Sequence, residues 1–223
     1  MMLLAMDTST RKIGLALYDG VRVCSERVWS SKRYHTVELA PALAEMLAKA
    51  EIEITDLDAI GVATGPGSFT ALRIGLALAK GLALSQHIDL MGIPTLDAVA
   101  AAQHIRDTKM AAVLEAGRER LAVGWYRVEN GKWQSTGELD NLTLDEFADA
   151  ISEPTFICGE LNAKVRRRLE RKYKNALLAS PAQSLRRPAY LAELAWERWQ
   201  SGRIDDPAAL SPVYLHRGDP IPG

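Results

Sequence analysis

Two stretches of this chain follow one plan, and that plan constrains the fold more than any other feature. Leu3-Leu4-Ala5-Met6-Asp7-Thr8-Ser9-Thr10 runs on into Ile13-Gly14-Leu15-Ala16-Leu17-Tyr18-Asp19-Gly20. Much later, Ala112-Val113-Leu114-Glu115-Ala116-Gly117-Arg118 runs on into Leu121-Ala122-Val123-Gly124-Trp125-Tyr126. Each reads as an apolar strand ending in an acid, a tight turn, and a second strand. Asp19-Gly20 and Asn130-Gly131 supply matching hairpin turns, because glycine tolerates the positive φ such turns need. A duplicated opening of this kind predicts two lobes built alike.

Strands alternating with helices predict an α/β fold. The first lobe reads as strands at 2–6, 12–18 and 21–28, then a helix over His35–Ala50 with Leu39, Leu43, Met46, Leu47 and Ala50 as its apolar stripe. Pro41 inside that helix predicts a kink or an early-turn placement. A strand at 58–64, a helix ending near Leu84, a strand at 88–93 and a short helix capped by Thr95 follow. The second lobe reads as strands at 110–116, 120–128 and 132–138, a helix capped by Thr143, a strand at 156–158, and helices near 161–173 and 189–201. Pro212, Pro220 and Pro222 predict an irregular tail. The expected boundaries are 1–104 for the first lobe, completed by 205–223, and 105–204 for the second.

With 48% hydrophobic residues the 223-residue chain has material for a sizeable core, and its net charge of −1 gives no global drive toward nucleic acid or membrane. One exception is the basic run Lys164-Val165-Arg166-Arg167-Arg168 with Arg171 and Lys172, on a helix whose Leu161, Val165 and Leu169 share a face. It reads either as a solvated helix face or as an RNA-contacting patch. Cys24 and Cys158 make no disulfide framework, the apolar start meets Asp7 too soon for a signal peptide, and no run is long enough to span a bilayer. Together these predict a cytoplasmic protein.

Gly65-Pro66-Gly67-Ser68-Phe69-Thr70 joins a strand to a helix. Such a turn either presents backbone N–H groups to a phosphate at the positive end of the helix dipole or is a tight connection capped by Ser68 or Thr70. It lacks the lysine of a Walker A loop. Asp7, Thr8, Ser9 and Thr10 offer a carboxylate and three hydroxyls, which suit a metal-bound water and phosphate oxygens, or else satisfy their own backbone. The candidate nucleotide-binding residues are therefore Asp7, Thr8, Ser9, Thr10, Gly65, Gly67 and Ser68. The second turn has Glu115 and no hydroxyl, so that half of a phosphate clamp reads as degenerate. His35, His87, His104 and His216 are scattered and make no metal-ligand spacing. Neither a catalytic residue nor a metal site is predicted.

Small residues recur every fourth position in both first-lobe helices: Ala40, Ala44 and Ala48 in one, Ala71, Gly75, Ala79 and Ala83 in the other. Smooth ridges allow helices to interdigitate closely. With His35, Leu72 and Leu76 these positions form the expected partner interface, and the same faces predict a homodimer when the chain is alone.

Leu4-Ala5-Met6-Asp7-Thr8-Ser9-Thr10, the block from Gly65 to Gly75, Ile93-Pro94-Thr95-Leu96 and Pro212-Val213-Tyr214-Leu215 closely resemble the TsaB (YeaZ) family. That resemblance implies the two-lobed actin/Hsp70/sugar-kinase-like (ASKHA) fold, with duplicated mixed-sheet lobes. It implies a non-catalytic scaffold in the bacterial complex that installs threonylcarbamoyl on the adenosine next to the anticodon of tRNAs reading codons that start with adenine. The implied partners are a TsaD-like catalytic subunit, reached through the two first-lobe helices, and a TsaE-like ATPase, with tRNA met through the complex. No cofactor is required on this reading, although ATP or ADP with Mg²⁺ at a partner interface is compatible with it. The family often has glycine where this chain has Ala71, and Asp-Ala-Arg-Arg where it has Glu115-Ala116-Gly117-Arg118. A small-molecule kinase or ATPase of the same fold is the alternative.

Overall fold

The structure, a computed structural model, describes residues 1–32, 34–117, 119–137, 139–171 and 174–215. The chain divides into two compact units: Met1–Ala98 with Arg186–Val213, and Val99–Leu185 with the chain from Tyr214.

In the first unit β1 (Leu3–Asp7), β2 (Lys12–Tyr18) and β3 (Val23–Ser30) form the expected meander. They are followed by α1 (His35–Ala50), a 3-10 turn (Ile54–Asp56), β4 (Ala59–Gly65), α2 (Phe69–Gln86), β5 (Asp89–Pro94) and α3 (Thr95–Ala101). The sheet order is β3-β2-β1-β4-β5. β1 pairs antiparallel with β2 and parallel with β4, whose other neighbour β5 is also parallel. β1 and β4 are buried along their whole length, which is why both read as unbroken apolar runs.

Side chains alternate across this sheet. Leu4, Met6, Ile60 and Val62 share a core with Leu39 and Leu43 of α1 and Leu76 and Ala79 of α2. Leu3, Ala5, Ala59 and Ala63 share the opposite core with Leu191, Ala192 and Ala195 of α6 (Pro188–Gln200). Each fully buried leucine contributes roughly 1.5–3 kcal/mol relative to exposure. The second face carries small residues because α6 lies close on it: a Cβ added to Gly61 would stand 2.5 Å from the Ala195 Cβ.

The expected boundaries assigned α6 to the second lobe; the structure places it on the first sheet, whose second face it covers. The chain after α6 stays there too. Arg198 donates to the Gly92 carbonyl at 2.6 Å and to Asp205 Oδ1 at 3.0 Å, while Gly92 N–H donates to Asp205 Oδ2 at 2.7 Å. Val213 N–H donates to the Thr64 carbonyl at 2.7 Å. Pro220 and Pro222 of the expected irregular tail lie outside the described residues.

The second unit holds β6 (Lys109–Glu115), β7 (Arg120–Glu129), β8 (Lys132–Ser135), β9 (Asp140–Thr143), α4 (Leu144–Ala150), β10 (Thr155–Gly159), α5 (Ala163–Glu170) and β11 (Ala176–Leu178). Its sheet reads β8-β7-β6-β10-β11, with β9 also paired to β7. β6 pairs antiparallel with β7 and parallel with β10, and β10 pairs parallel with β11. Order and sense repeat those of the first sheet strand for strand, as the duplicated opening predicts. Phe147 of α4 and Val165 and Leu169 of α5 pack on Ala111, Val123 and Ile157. Thr143 caps α4 as expected: its hydroxyl accepts from Glu146 N–H, and the Glu146 carboxylate accepts from Thr143 N–H. Asn130 and Gly131 adopt φ of 52° and 73°, a left-handed hairpin turn. The expected helix at 161–173 spans Ala163–Glu170, capped by Asn162; Lys172 lies outside the described residues. Among the described residues no helix is long and apolar enough to cross a membrane.

Candidate functional site

The first unit gathers the β1–β2 turn, the β4–α2 turn and the start of α3 at one end of its sheet. β1 and β4 are parallel neighbours, so both strands end at this edge. Ser68 N–H donates to the Ser9 carbonyl at 2.6 Å, and a Cβ on Gly67 would collide with the Ser9 backbone. The two turns therefore lie against each other, and glycine at 67 is required by this approach rather than by a ligand.

Asp7, Thr8, Ser9 and Thr95 are all buried. Burial obliges their polar atoms to find partners, and each finds them within the chain. Thr8 Oγ1 donates to the Ala71 carbonyl at 2.8 Å. The Ser9 and Thr95 hydroxyls share a hydrogen bond of 2.7 Å, and Gly65 N–H donates to Thr95 Oγ1 at 3.1 Å. Thr95 was expected to cap α3; its hydroxyl instead ties three loops together. One carboxylate oxygen of Asp7 accepts from Ser9 N–H at 2.8 Å, and the other accepts from the Arg186 Nε–H in a buried ion pair. Arg186 also donates from Nη2 to Thr10 Oγ1 at 3.2 Å and to the Lys12 carbonyl at 3.0 Å. The guanidinium fork thus bridges β1, the turn and β2.

Arg186 escaped sequence reasoning. It stands at the entrance to α6, 179 positions from Asp7, and no local pattern marks it. It changes what the turn can do. An acid that positions a metal-bound water needs its carboxylate open to that water; here a cation of the protein fills that place. Among the described residues no cluster of three or more histidine, cysteine, aspartate or glutamate side chains is placed to hold a metal ion. Ser68 and Thr70, at the start of α2, remain exposed, and the Ser68 hydroxyl makes no capping bond.

The small-residue ridge of α2 faces inward. Ala71, Leu72, Gly75, Leu76, Ala79 and Ala83 are all buried, and a Cβ on Gly75 would collide with Thr8 Oγ1. The six were expected at the partner interface; they are interior because α2 must approach the β1–β2 turn and its own sheet. His35 is half-buried, and its Nε2–H donates to the Thr10 carbonyl at 2.8 Å. The other ridge behaves differently. Ala40, Ala44 and Ala48 are exposed and continue the exposed Val37 and Pro41 along one face of α1. Phe69 and Leu84 of α2 are 52% and 61% exposed, and Arg73 lies over the Phe69 ring at 3.7 Å. Both helices cover the same sheet face, so their outer sides look the same way.

In the second unit the corresponding acid, Glu115, is exposed and accepts from Asn162 Nδ2 at 2.7 Å. The turn closes on itself through Ala116 N–H to the Arg120 carbonyl at 2.9 Å. Arg118 lies outside the described residues. A cavity of about 560 Å³ opens here, lined by Glu115, Glu119, Arg120, Thr143 and Lys164 among others. The pair Lys164–Glu119 holds the Glu119 carboxyl below its ordinary range.

A family model described as "TsaD: tRNA N6-adenosine threonylcarbamoyltransferase" matches residues 22–155. The tRNA threonylcarbamoyladenosine biosynthesis protein TsaB of Bacillus subtilis is 30% identical over 219 residues, covering 96% of this chain and 94% of that protein. The solved structure of YeaZ from Pseudomonas aeruginosa superposes with a TM-score of 0.77 at 25% identity, covering 96% of this chain and 99% of that one. A hexokinase of the ROK group from Thermus thermophilus superposes with a TM-score of 0.50 at 13% identity over 91% of this chain and 100% of its own, a likeness of fold alone. With the repeated sheets, these findings show the two-lobed α/β fold of the actin–Hsp70–sugar-kinase (ASKHA) class.

Proposed function

This chain belongs to the TsaB (YeaZ) family, and from that premise we propose that it acts in tRNA threonylcarbamoyladenosine biosynthesis as a non-catalytic scaffold for a TsaD-like transferase. A TsaE-like ATPase joins the same assembly, and tRNA is engaged through the complex. The docking face is the outer side of α1 and α2: Ala40, Ala44 and Ala48 with Val37, Phe69 and Leu84. Unpartnered, this face pairs two copies of the chain.

One observation carries the non-catalytic reading: the Asp7 carboxylate is closed by Arg186. The hydroxyls of Thr8 and Ser9 are likewise engaged and buried. A nucleotide with Mg²⁺ needs those groups pointing at it, so Asp7, Thr8 and Ser9 offer it no clamp, and no chemical step follows from them. A kinase or ATPase reading requires that network to open. The exposed apolar stripe supports docking, since smooth faces of this kind bury well against a second helix pair.

The test is co-purification with the TsaD-like subunit of the same organism. Ala44→Glu with Ala48→Glu places two carboxylates in the contact and should reduce association at least tenfold while leaving the thermal midpoint unchanged, because both sites are exposed in the single chain. Undiminished pairing would move the docking face elsewhere. Steady phosphate release by the isolated chain with ATP and Mg²⁺ would restore the enzyme reading.

A further inference from the structure

The basic run on α5 divides into two roles. Arg166 turns inward: its guanidinium donates to the Ala179 carbonyl at 3.0 Å and to Ser184 Oγ at 3.1 Å, so it holds the second unit together. Lys164, Arg167, Arg168 and Arg171 line a cavity of about 420 Å³ that adjoins the larger one through Lys164, Leu144 and Asp145. These four cations stand at positions i, i+3, i+4 and i+7, a single stripe along the helix. Arg171 keeps right-handed helical dihedrals (φ −68°, ψ −19°) and so stays in line. Val165 and Leu169 anchor the opposite side in the core, which fixes the stripe on a rigid support.

The charge here departs from the balance of the chain as a whole, whose 27 Lys and Arg and 28 Asp and Glu residues nearly cancel. Around this cavity one carboxylate faces four cations. Like charges at three and four residues' spacing work against a helix. Two of the four have carboxylate partners, Lys164 with Glu119 at 2.7 Å and Arg168 with Asp145 at 2.9 Å, while Arg167 Nε–H donates to the Ala163 carbonyl at 3.2 Å. Both acids are largely exposed, at 83% and 79%, and pairs of that kind exchange readily for a stronger anion. Among the described residues Arg167 and Arg171 have no carboxylate partner. From Lys164 to Arg171 the stripe runs about 10 Å, seven helical rises. That length equals roughly three per-strand charge spacings of about 3.4 Å measured along a duplex axis.

The geometry points to this face of the second unit as a direct contact for the phosphate backbone of RNA, additional to any reached through a partner subunit. RNA is preferred over an acidic protein because the reading rests on the proposed role in tRNA modification, and over a membrane because only Leu144 offers an apolar group beside the cations. Binding is through backbone phosphates, so it selects charge and spacing rather than sequence.

The experiment measures binding of unmodified tRNA between 50 and 200 mM salt, with the chain alone and with its TsaD-like partner. R167A/R171A should weaken binding at least tenfold and lower the slope of log K against log salt by about 1.5, with the thermal midpoint unchanged. R167K/R171K should retain most of the slope. Equal affinity and slope for wild type and R167A/R171A, or no tRNA binding by either form of the wild type, overturns the assignment. So does equal competition by polyglutamate of matched charge, which would mark an acidic protein as the occupant. Pairing with the partner is read on the same samples: its loss with tRNA binding intact refutes the scaffold reading and leaves this surface standing.

Discussion

The turn after β1 and the turn after β6 hold the same position in two sheets of the same order, yet one is sealed and the other open. Asp7 is buried and clasped by an arginine from the far end of the sequence, whereas Glu115 is exposed and held by one asparagine. Topology was duplicated; environment was not. A repeated strand–acid–turn–strand unit therefore specifies where an acid stands and says little about what it is free to do. In the first unit the acid has become an internal fastener, and in the second it borders a cavity.

Removing the acids should separate the two turns most sharply. Asp7→Ala leaves Arg186 buried without its counter-charge and should cost about 3–5 kcal/mol, read as a fall in the urea midpoint. Glu115→Gln, at an exposed position, should stay within about 0.5 kcal/mol. Equal losses would mean that the two turns bear equal structural weight. The glycines give the next contrast. Gly67→Ala drives a methyl into the Ser9 backbone and should cost about 1–3 kcal/mol or more. Gly117→Ala meets nothing within 4 Å but stands at φ +74°, so about 1 kcal/mol of backbone strain is expected. The smallest effect concerns acid. In the first unit, hydrogen bonds and charge from Lys49 and Arg27 hold the Glu45 carboxyl at about 2, below its ordinary 4.5. A depressed folded-state value stabilises the fold above the unfolded value and loses that contribution as pH falls toward the folded one. The difference in thermal midpoint between wild type and Glu45→Gln should thus be constant near neutrality, shrink below pH 4.5 and be mostly gone at pH 2. A difference that persists in full at pH 2 would point to packing instead of charge.

The sheets were legible because strands and hairpin turns leave local marks: Leu3-Leu4-Ala5-Met6 reads as a buried strand, and Asn130-Gly131 as the hairpin between β7 and β8. β9 and β11, four and three residues long, were not legible because no hairpin turn marks them as Asn130-Gly131 marks the equally short β8. The alanine–glycine ridge of α2 showed that something comes close, but spacing alone does not say what; the answer is Thr8 and the helix's own sheet. The matching ridge on α1 stays outside because Leu39, Leu43, Met46 and Leu47 already supply that helix's inward face. Arg186 was beyond reach for a different reason. A contact between positions 7 and 186 is a property of topology, and nothing in the neighbourhood of either residue announces it. The same holds for α6, whose membership of the first unit follows from which sheet face lacked cover.

That membership has a consequence for biosynthesis. The first unit is written in two pieces with residues 99–185 of the second unit between them, so its sheet emerges from the ribosome with one face bare. Leu3, Ala5, Ala59 and Ala63 wait in water until Leu191, Ala192 and Ala195 have been translated. Residues 99–185, the bulk of the second unit, are complete before then and can fold first, which reverses the usual N-terminal-first order. A nascent chain arrested short of α6 therefore presents an uncovered apolar sheet, a natural client for chaperones, and the stretch from Arg186 to Val213 decides whether Met1–Ala98 reaches its native state.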